Sequence, residues 1–459
     1  RPRAPDQAGD APNGSRRPGS SARLACSIRG GDTMAETNAG IRAGLPVRAS
    51  VVAMCFAAIF VCYIDRVNIS VAIIPMARDL DWSPSTQGLV LSSFYVGYLL
   101  MQIGGGRLAD RFGGKLILGL GVLSWSLFTI LTPPAAWLGF GALLLARVGM
   151  GLGEAVTFPS VYNMIARWVP PTEKARAVGF ANSGIPVGTV FALVCTPLIV
   201  EQLGWEWAFY LFGGVGVLWF LAWQKLVTAR PEEHPRIGPE ELALLQGQHA
   251  ADGEQTTPPL THFLKNRAMW AIIAAHFCSN WTLYVVLSWL PKYVNEGLGV
   301  SFAAVGVVAM LPHVASLLFY NVWGNVADRM ITAGHSVTFV RKLMQSIAAG
   351  GLAICLIAID FTTGLWAAMT LLIVAKILGA AAIGGYAVNH MDIGPRHAGT
   401  LMGISNTAGT LPGIIGVYVT GLILELTGSW ALVFQVTAGV ALVGMVIYLL
   451  LASGEKQFD

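Results

Sequence analysis

Hydrophobic and polar positions along the chain fall into two long apolar blocks, residues 49–227 and 268–453, separated by one polar stretch. Within each block, apolar runs of about 20 residues recur between short polar connections, the length an α-helix needs to cross the hydrocarbon core of a bilayer. The pattern predicts twelve spans in two sets of six: 49–76, 84–105, 114–133, 137–165, 175–200 and 206–227, then 268–290, 300–324, 340–361, 364–390, 398–424 and 429–452. The expected fold class is an all-α membrane protein with two six-helix bundles, 49–227 and 268–453. The polar remainder divides into a leader, 1–48, a linker, 228–267, and a tail, 454–459.

Composition sharpens this. Of 459 residues, 54% are hydrophobic and 12% charged, where soluble domains carry about a quarter charged, so an ordinary globular enzyme is excluded. Basic residues also orient the spans, because loops on the cytoplasmic side are enriched in Lys and Arg. The connections after spans 2, 4, 8 and 10 hold Arg107, Arg111, Lys115, Arg167, Lys174, Arg176, Arg329, Arg341, Lys342 and Arg396, and the odd-numbered connections only Arg78 and Lys292. Both termini and the linker are therefore expected on the cytoplasmic side, or its equivalent in an organelle. That side is the inner side below, and its opposite the outer side. The formal net charge of +4 is accounted for by topology and calls for no nucleic-acid partner.

Leader residues are rich in Arg, Ala, Gly, Ser and Pro but include Asp6, Asp10, Asp32 and Glu36, a partial match to an organellar transit peptide; Met34 offers an alternative start, which would make the preceding residues non-native. Cys26, Cys55, Cys62, Cys195, Cys278 and Cys355 show no zinc or CxxC spacing. All but Cys26 fall in spans and read as small core residues.

The halves repeat each other. Gly106-Arg-Leu-Ala-Asp110-Arg111 after the second span returns as Gly324-Asn-Val-Ala-Asp328-Arg329 after the eighth, and Gly179-Phe-Ala-Asn182-Ser183 is echoed by Gly403-Ile-Ser405-Asn406-Thr407. Parallel six-helix repeats bind substrate near the midplane between them. In the GxxxDR turns, Gly106 can let helices approach while Asp110, Arg111, Asp328 and Arg329 form a clasp that breaks and re-forms as a conformational gate. This turn, twice present, resembles the signature of the major facilitator superfamily.

Ionisable residues inside spans cost about 2.5–3.5 kcal/mol each on insertion scales, which makes them candidates for function. They are Asp65, Arg66, Arg147, Glu154 and Lys376. Arg147 and Glu154 lie two helical turns apart on one face, with Gly149, Gly151 and Gly153 between them keeping the helix slim enough for backbone and cavity to come close. Arg147 offers a fork of donors to an oxyanion. The protonation of Glu154 can answer to whether an anion occupies the arginine, the minimum for proton coupling; the plainer alternative is an ion pair that fixes packing. Asp65 and Arg66 are about 100° apart and cannot face one point. Arg66 is expected to face substrate. Asp65 is expected to turn towards Arg147 or a neighbouring span, as a second proton carrier or a fixed counter-ion. Lys376 has no evident partner, His276, His313 and His390 read as satisfied polar residues near span ends, and the 14 Trp read chiefly as interfacial belts and packing.

Finer motifs point to one branch. Ile64-Asp65-Arg66-Val67-Asn68-Ile69-Ser70, Ser93-Phe94-Tyr95-Val96-Gly97-Tyr98, Arg147 through Phe158-Pro159, Ala275-His276-Phe277-Cys278-Ser279-Asn280-Trp281, Val340-Arg341-Lys342-Leu343-Met344-Gln345-Ser346 and the run Asn389 to Gly413 are similar to the anion:cation symporter family, over about residues 50 to 453. That family includes plant plastid and Golgi phosphate transporters, sialin, vesicular glutamate transporters and sugar-acid symporters. The resemblance implies that Arg66 and Arg147 bind substrate, that Asp65 and Glu154 couple a proton or ion, and that Asn406 lines the binding cavity. It also implies no cofactor beyond a coupling H⁺ or Na⁺, and a small anion and the lipid bilayer as partners; a monomer is expected. Asn280 and Leu91 stand where glutamate carriers have an arginine and a histidine, which argues against glutamate. The motifs look most like plant-type phosphate transporters, so phosphate in a plastid or other organellar membrane is the first expectation. A sugar acid, sialate, ascorbate or glutamate-like anion is the alternative, and a non-transporting sensor or channel-like protein the alternative of another class. No GxSxG, HExxH or GxxxxGK[ST] occurs, so neither a membrane hydrolase nor an ATP-driven pump is expected.

Overall fold

The computed structural model describes residues 46–246 and 259–458; nearly all of the leader, including Cys26 and Met34, and part of the linker lie outside the described residues. Among the described residues eleven helices are long and apolar enough to span a bilayer, and a pair of helices bent against each other makes a twelfth segment. They are α1 (Val47–Asp79), α2 (Pro84–Gln102 and Gly104–Phe112, bent by 50°), α3 (Gly114–Leu138), α4 (Phe140–Trp168), α5 (Thr172–Leu203) and α6 (Trp205–Leu226), then α7 (Arg267–Gly297), α8 (Phe302–Thr332), α9 (Val337–Phe361), α10 (Leu365–Ile393), α11 (Pro395–Thr427) and α12 (Trp430–Leu451).

Local chemistry sets the boundaries. Ser83 accepts a hydrogen bond from Thr86 N and Pro84 opens α2, the cap and first-turn residues a helix start favours. Gly113, with φ +88°, turns the chain between α2 and α3, a conformation costly for any residue with a Cβ. Helices overrun the apolar stretches at their inner ends. Gly106 to Arg111 belong to α2 and Gly324 to Arg329 to α8, so the GxxxDR elements are helical rather than the turns their polarity suggested. Nothing in them breaks a helix, and polar side chains are accommodated once past the hydrocarbon. Arg78 and Lys292 likewise sit on helices, at the ends of α1 and α7.

Packing repeats between the halves. α1 lies against α5 and α6, α2 against α4, and α3 against α4 and α6; α7 lies against α11 and α12, α8 against α10, and α9 against α10 and α12. Between halves, α2 packs on α11, α5 on α8 and α1 on α7. The contacts are backbone-close towards the outer side. A Cβ on Gly421 would collide with the carbonyl oxygen of Pro84, and one on Gly306 with that of Leu193. Hydrogen bonds from Ser85 N to Glu425 (2.9 Å), Arg78 to Asn295 (3.4 Å) and Lys292 to Gln87 close the same side. At the inner ends Asp110, Arg111, Asp328 and Arg329 are exposed and no ion pair joins them among the described residues. A Cβ on Gly106 would meet nothing within 4 Å. The halves are joined closely on the outer side, while the four gate charges at the inner ends are exposed and make no ion pair with one another among the described residues.

The linker is shared. Glu241 accepts hydrogen bonds from the N–H groups of Val47 and Arg48 at the start of α1, while Phe263 is buried beside Phe458 of the tail, with ring centroids 5.1 Å apart.

Candidate functional site

Four of the five intramembrane charges converge near the midplane of the first half, where the backbone of α4 comes against two neighbours. A Cβ on Gly151 would strike the carbonyl of Phe94 in α2, and one on Gly153 would lie 2.9 Å from Trp125 N in α3. The glycines between Arg147 and Glu154 thus serve helix contact, not access to the cavity as expected, because small residues are what let helix backbones touch in a bilayer. α4 also breaks immediately after Glu154: one helical segment ends there and the next begins at Thr157.

Glu154 is wholly buried. Its Oε2 accepts from Arg66 Nη2 at 2.7 Å and Nε at 3.0 Å, and from Cys62 Sγ at 3.2 Å. Its Oε1 has no partner. The carboxylate therefore pairs with Arg66 of α1 and not with Arg147 of its own helix. The Arg66 guanidinium carbon is also 4.9, 4.9 and 5.0 Å from the ring centroids of Tyr63, Phe94 and Tyr98, a cage of cation–π contacts that a lysine would fill less well. Asp65 points away from Arg66, as adjacency requires, and Trp125 Nε1 of α3 donates to its Oδ2 at 3.1 Å. It is fully buried with Oδ1 unpartnered.

Arg147 is the informative member. It is 1% exposed, forms no ion pair among the described residues, and leaves Nε without a hydrogen-bond partner. Its Nη1 touches Met150 Sδ at 2.9 Å and its guanidinium carbon lies 5.5 Å from the Phe94 ring. A buried guanidinium without a carboxylate is expensive. Arg147 and Arg66 line one small cavity, with room for about one water molecule, walled by Ser70, Leu91, Phe94 and Tyr95 and closed from the second half by Leu287 and Ser288 of α7. Both arginines thus border the same pocket between the halves, which must widen before their donors can grip an oxyanion.

The remaining expectations separate. Asn406 lies on the inner stretch of α11, where its carbonyl accepts from Thr410, and is not in the wall of the arginine cavity. Lys376 is half-buried in α10 and makes no ion pair among the described residues. His276 lies well inside α7 rather than near its end; it and His390 both hydrogen-bond Ser405 Oγ, at 3.1 and 2.8 Å. Sequence reasoning missed Cys62, read as a packing residue although it stands one turn from Arg66 on the same helix face. It also missed Trp125 and the aromatic cage, whose signal was the i, i+4 pair Phe94 and Tyr98. Lys292, counted as a connection charge, is buried.

Comparison with known proteins agrees with this architecture. The family model described as Major Facilitator Superfamily matches residues 55–417. The chain is 42% identical over 416 residues to probable anion transporter 4, chloroplastic, of Oryza sativa subsp. japonica, covering 90% of this chain and 70% of the relative. It is 41% identical to the chloroplastic ascorbate transporter of Arabidopsis thaliana (90% and 76% covered). It is 40% identical to the chloroplastic sodium-dependent phosphate transport protein 1 of the same plant (90% and 81% covered). Among solved structures, an inward-facing, occupied bacterial homologue of the human lysosomal transporter Spinster matches with TM-score 0.72 at 19% identity, covering 89% of this chain and 97% of the other. The chain belongs to the major facilitator superfamily, in its anion:cation symporter branch, whose members are transporters and not enzymes.

Proposed function

We propose that this protein is a secondary active transporter of inorganic phosphate, working by alternating access in a plastid membrane with a proton or Na⁺ as the coupling ion. The observation that carries the reading is Arg147, a buried guanidinium without a carboxylate, facing Arg66 across one cavity. The chloroplastic names of the relatives support the membrane, and the phosphate transporter among them supports the substrate.

Charge bookkeeping supports coupling. With Asp65 and Glu154 ionised, the buried charges of Arg66, Arg147, Asp65 and Glu154 sum to zero. An anion entering this low-dielectric cluster adds one net negative charge, which is costly unless a cation accompanies it. A proton on Glu154 cancels it and at the same stroke releases Arg66 from its ion pair, so that both arginines can hold the anion. Asp65, held by Trp125 and outside the cavity wall, serves as a fixed counter-charge. In the opposite state, with the inner side closed, Asp110, Arg111, Asp328 and Arg329 re-form their clasp around Gly106. Asn406, near the inner mouth, contacts the anion on its way in or out.

The ascorbate transporter at 41% identity favours a second reading, an organic anion in the same cavity. Uptake of radiolabelled phosphate into liposomes under imposed pH or Na⁺ gradients decides, with ascorbate, glutamate, sialic acid and gluconate as competitors. Saturable phosphate uptake driven by one gradient is expected; uptake of ascorbate but not phosphate would replace the substrate and leave the four charges standing.

A further inference from the structure

The cavity has a lid on its outer side that contains a buried cation. Leu91 of α2 and Ser288 of α7 line the cavity, and one helical turn further out on the same two faces stand Gln87 and Lys292, about 6 Å along each axis. Lys292 Nζ donates to Gln87 Oε1, bridging the halves, and lies 3.5 Å from Glu296 Oε2 on its own helix. Gln87 is turned for this task, because its amide nitrogen donates to Trp82 O at 3.1 Å and leaves the oxygen for the ammonium. The two side chains are 5% and 3% exposed.

Position makes this more than a surface bond. The outer connections are poor in basic residues, as topology demands; the two exceptions, Arg78 and Lys292, both reach across the same junction between halves. Across the junction the lysine meets the neutral amide of Gln87, a weaker partner than the carboxylate of Glu296 on its own helix, which suits a contact that must break in every cycle. When α2 and α7 separate, Gln87 leaves with one half. The ammonium stays, with Glu296, on the wall of the opened path, one turn outward of Ser288.

We infer that Lys292 is an anion-binding residue of the outer path and, with Gln87, the lid of the cavity. It meets the incoming anion first when the outer side is open, and reseals on Gln87 when it is closed. The inference rests on the anion-transport reading, so its test has one arm that needs phosphate and one that does not. In reconstituted protein of known orientation, K292Q is expected to raise the KM for phosphate presented at the outer face about tenfold and that at the inner face less than twofold, with K292R close to the unmodified protein. Equal shifts at both faces, or none, would overturn the anion-binding role. In the second arm, S288C is treated with a membrane-impermeant maleimide from the outer side, without substrate. Labelling is expected to be slow with Lys292 in place and several-fold faster in S288C/K292Q; unchanged labelling would overturn the lid. Failure of the unmodified protein to carry phosphate would strike the substrate reading alone, and the labelling arm would still decide the lid.

Discussion

Replacing Glu154 by glutamine removes the charge that pairs with Arg66, the proton site of the proposed mechanism, while keeping the side chain's size. Among the described residues Glu154 is the carboxylate ion-paired to a cavity arginine and Asp65 accepts a hydrogen bond from Trp125, so the proposed mechanism moves one proton per cycle, on Glu154. One proton per anion sustains a concentration ratio of about tenfold per pH unit, or 1.36 kcal/mol, and about a hundredfold across two units. In E154Q that ratio should collapse to about one with the membrane potential clamped, because no proton need enter or leave with the anion. Exchange of external for internal phosphate, which needs only binding and rocking, should survive within about threefold of the unmodified rate, a change worth under 1 kcal/mol. Its KM should be unchanged or lower, since Arg66 is freed from its carboxylate. The assay is paired uptake and counterflow in the same liposomes. Accumulation persisting in E154Q, or exchange falling in step with accumulation, would refute the assignment of coupling to Glu154. Loss of both would return Glu154 to a structural ion pair.

Other expectations follow from single contacts. R147K keeps the charge but loses the planar fork, and phosphate transport should fall at least about a hundredfold, measured as kcat/KM; near-normal transport would rule out two-pronged gripping. W125F strips the Trp125 hydrogen bond from the buried Asp65 carboxylate, a loss of about 1–3 kcal/mol that should appear as a lower Tm in detergent with little change in KM. G421V places a side chain against the carbonyl of Pro84, so the outer side should fail to close. Faster outer-face labelling of S288C together with loss of exchange is the expected pair of results, and normal exchange would contradict the closure described.

Much of this was legible in the sequence. Apolar run lengths report the bilayer directly, so the twelve spans came from composition. Helix ends were less legible: Gly106–Arg111 and Gly324–Arg329 are polar yet helical, because polarity marks the edge of the hydrocarbon and not the end of a helix. The cost of buried charge picked out Asp65, Arg66, Arg147, Glu154 and Lys376, and all but Lys376 converge. Their pairing was not legible. Spacing along α4 suggested Arg147 and Glu154 as partners, whereas the approach of α1 to α4 gives Glu154 to Arg66 and leaves Arg147 unpaired. Gln87 with Lys292, 205 residues apart in sequence, is a contact between helices that no periodicity within either one announces.

In the proposed mechanism the anion sits between Arg66 and Arg147. Equilibrium binding of radiolabelled phosphate to the purified protein, alongside R147Q and E154Q, tests it without requiring a gradient or a vesicle. Saturable binding to the unmodified protein is expected, with affinity preserved or improved in E154Q and weakened at least about a hundredfold in R147Q, the loss of a buried charge-assisted contact of about 3 kcal/mol. Phosphate bound equally well by R147Q would place the anion elsewhere.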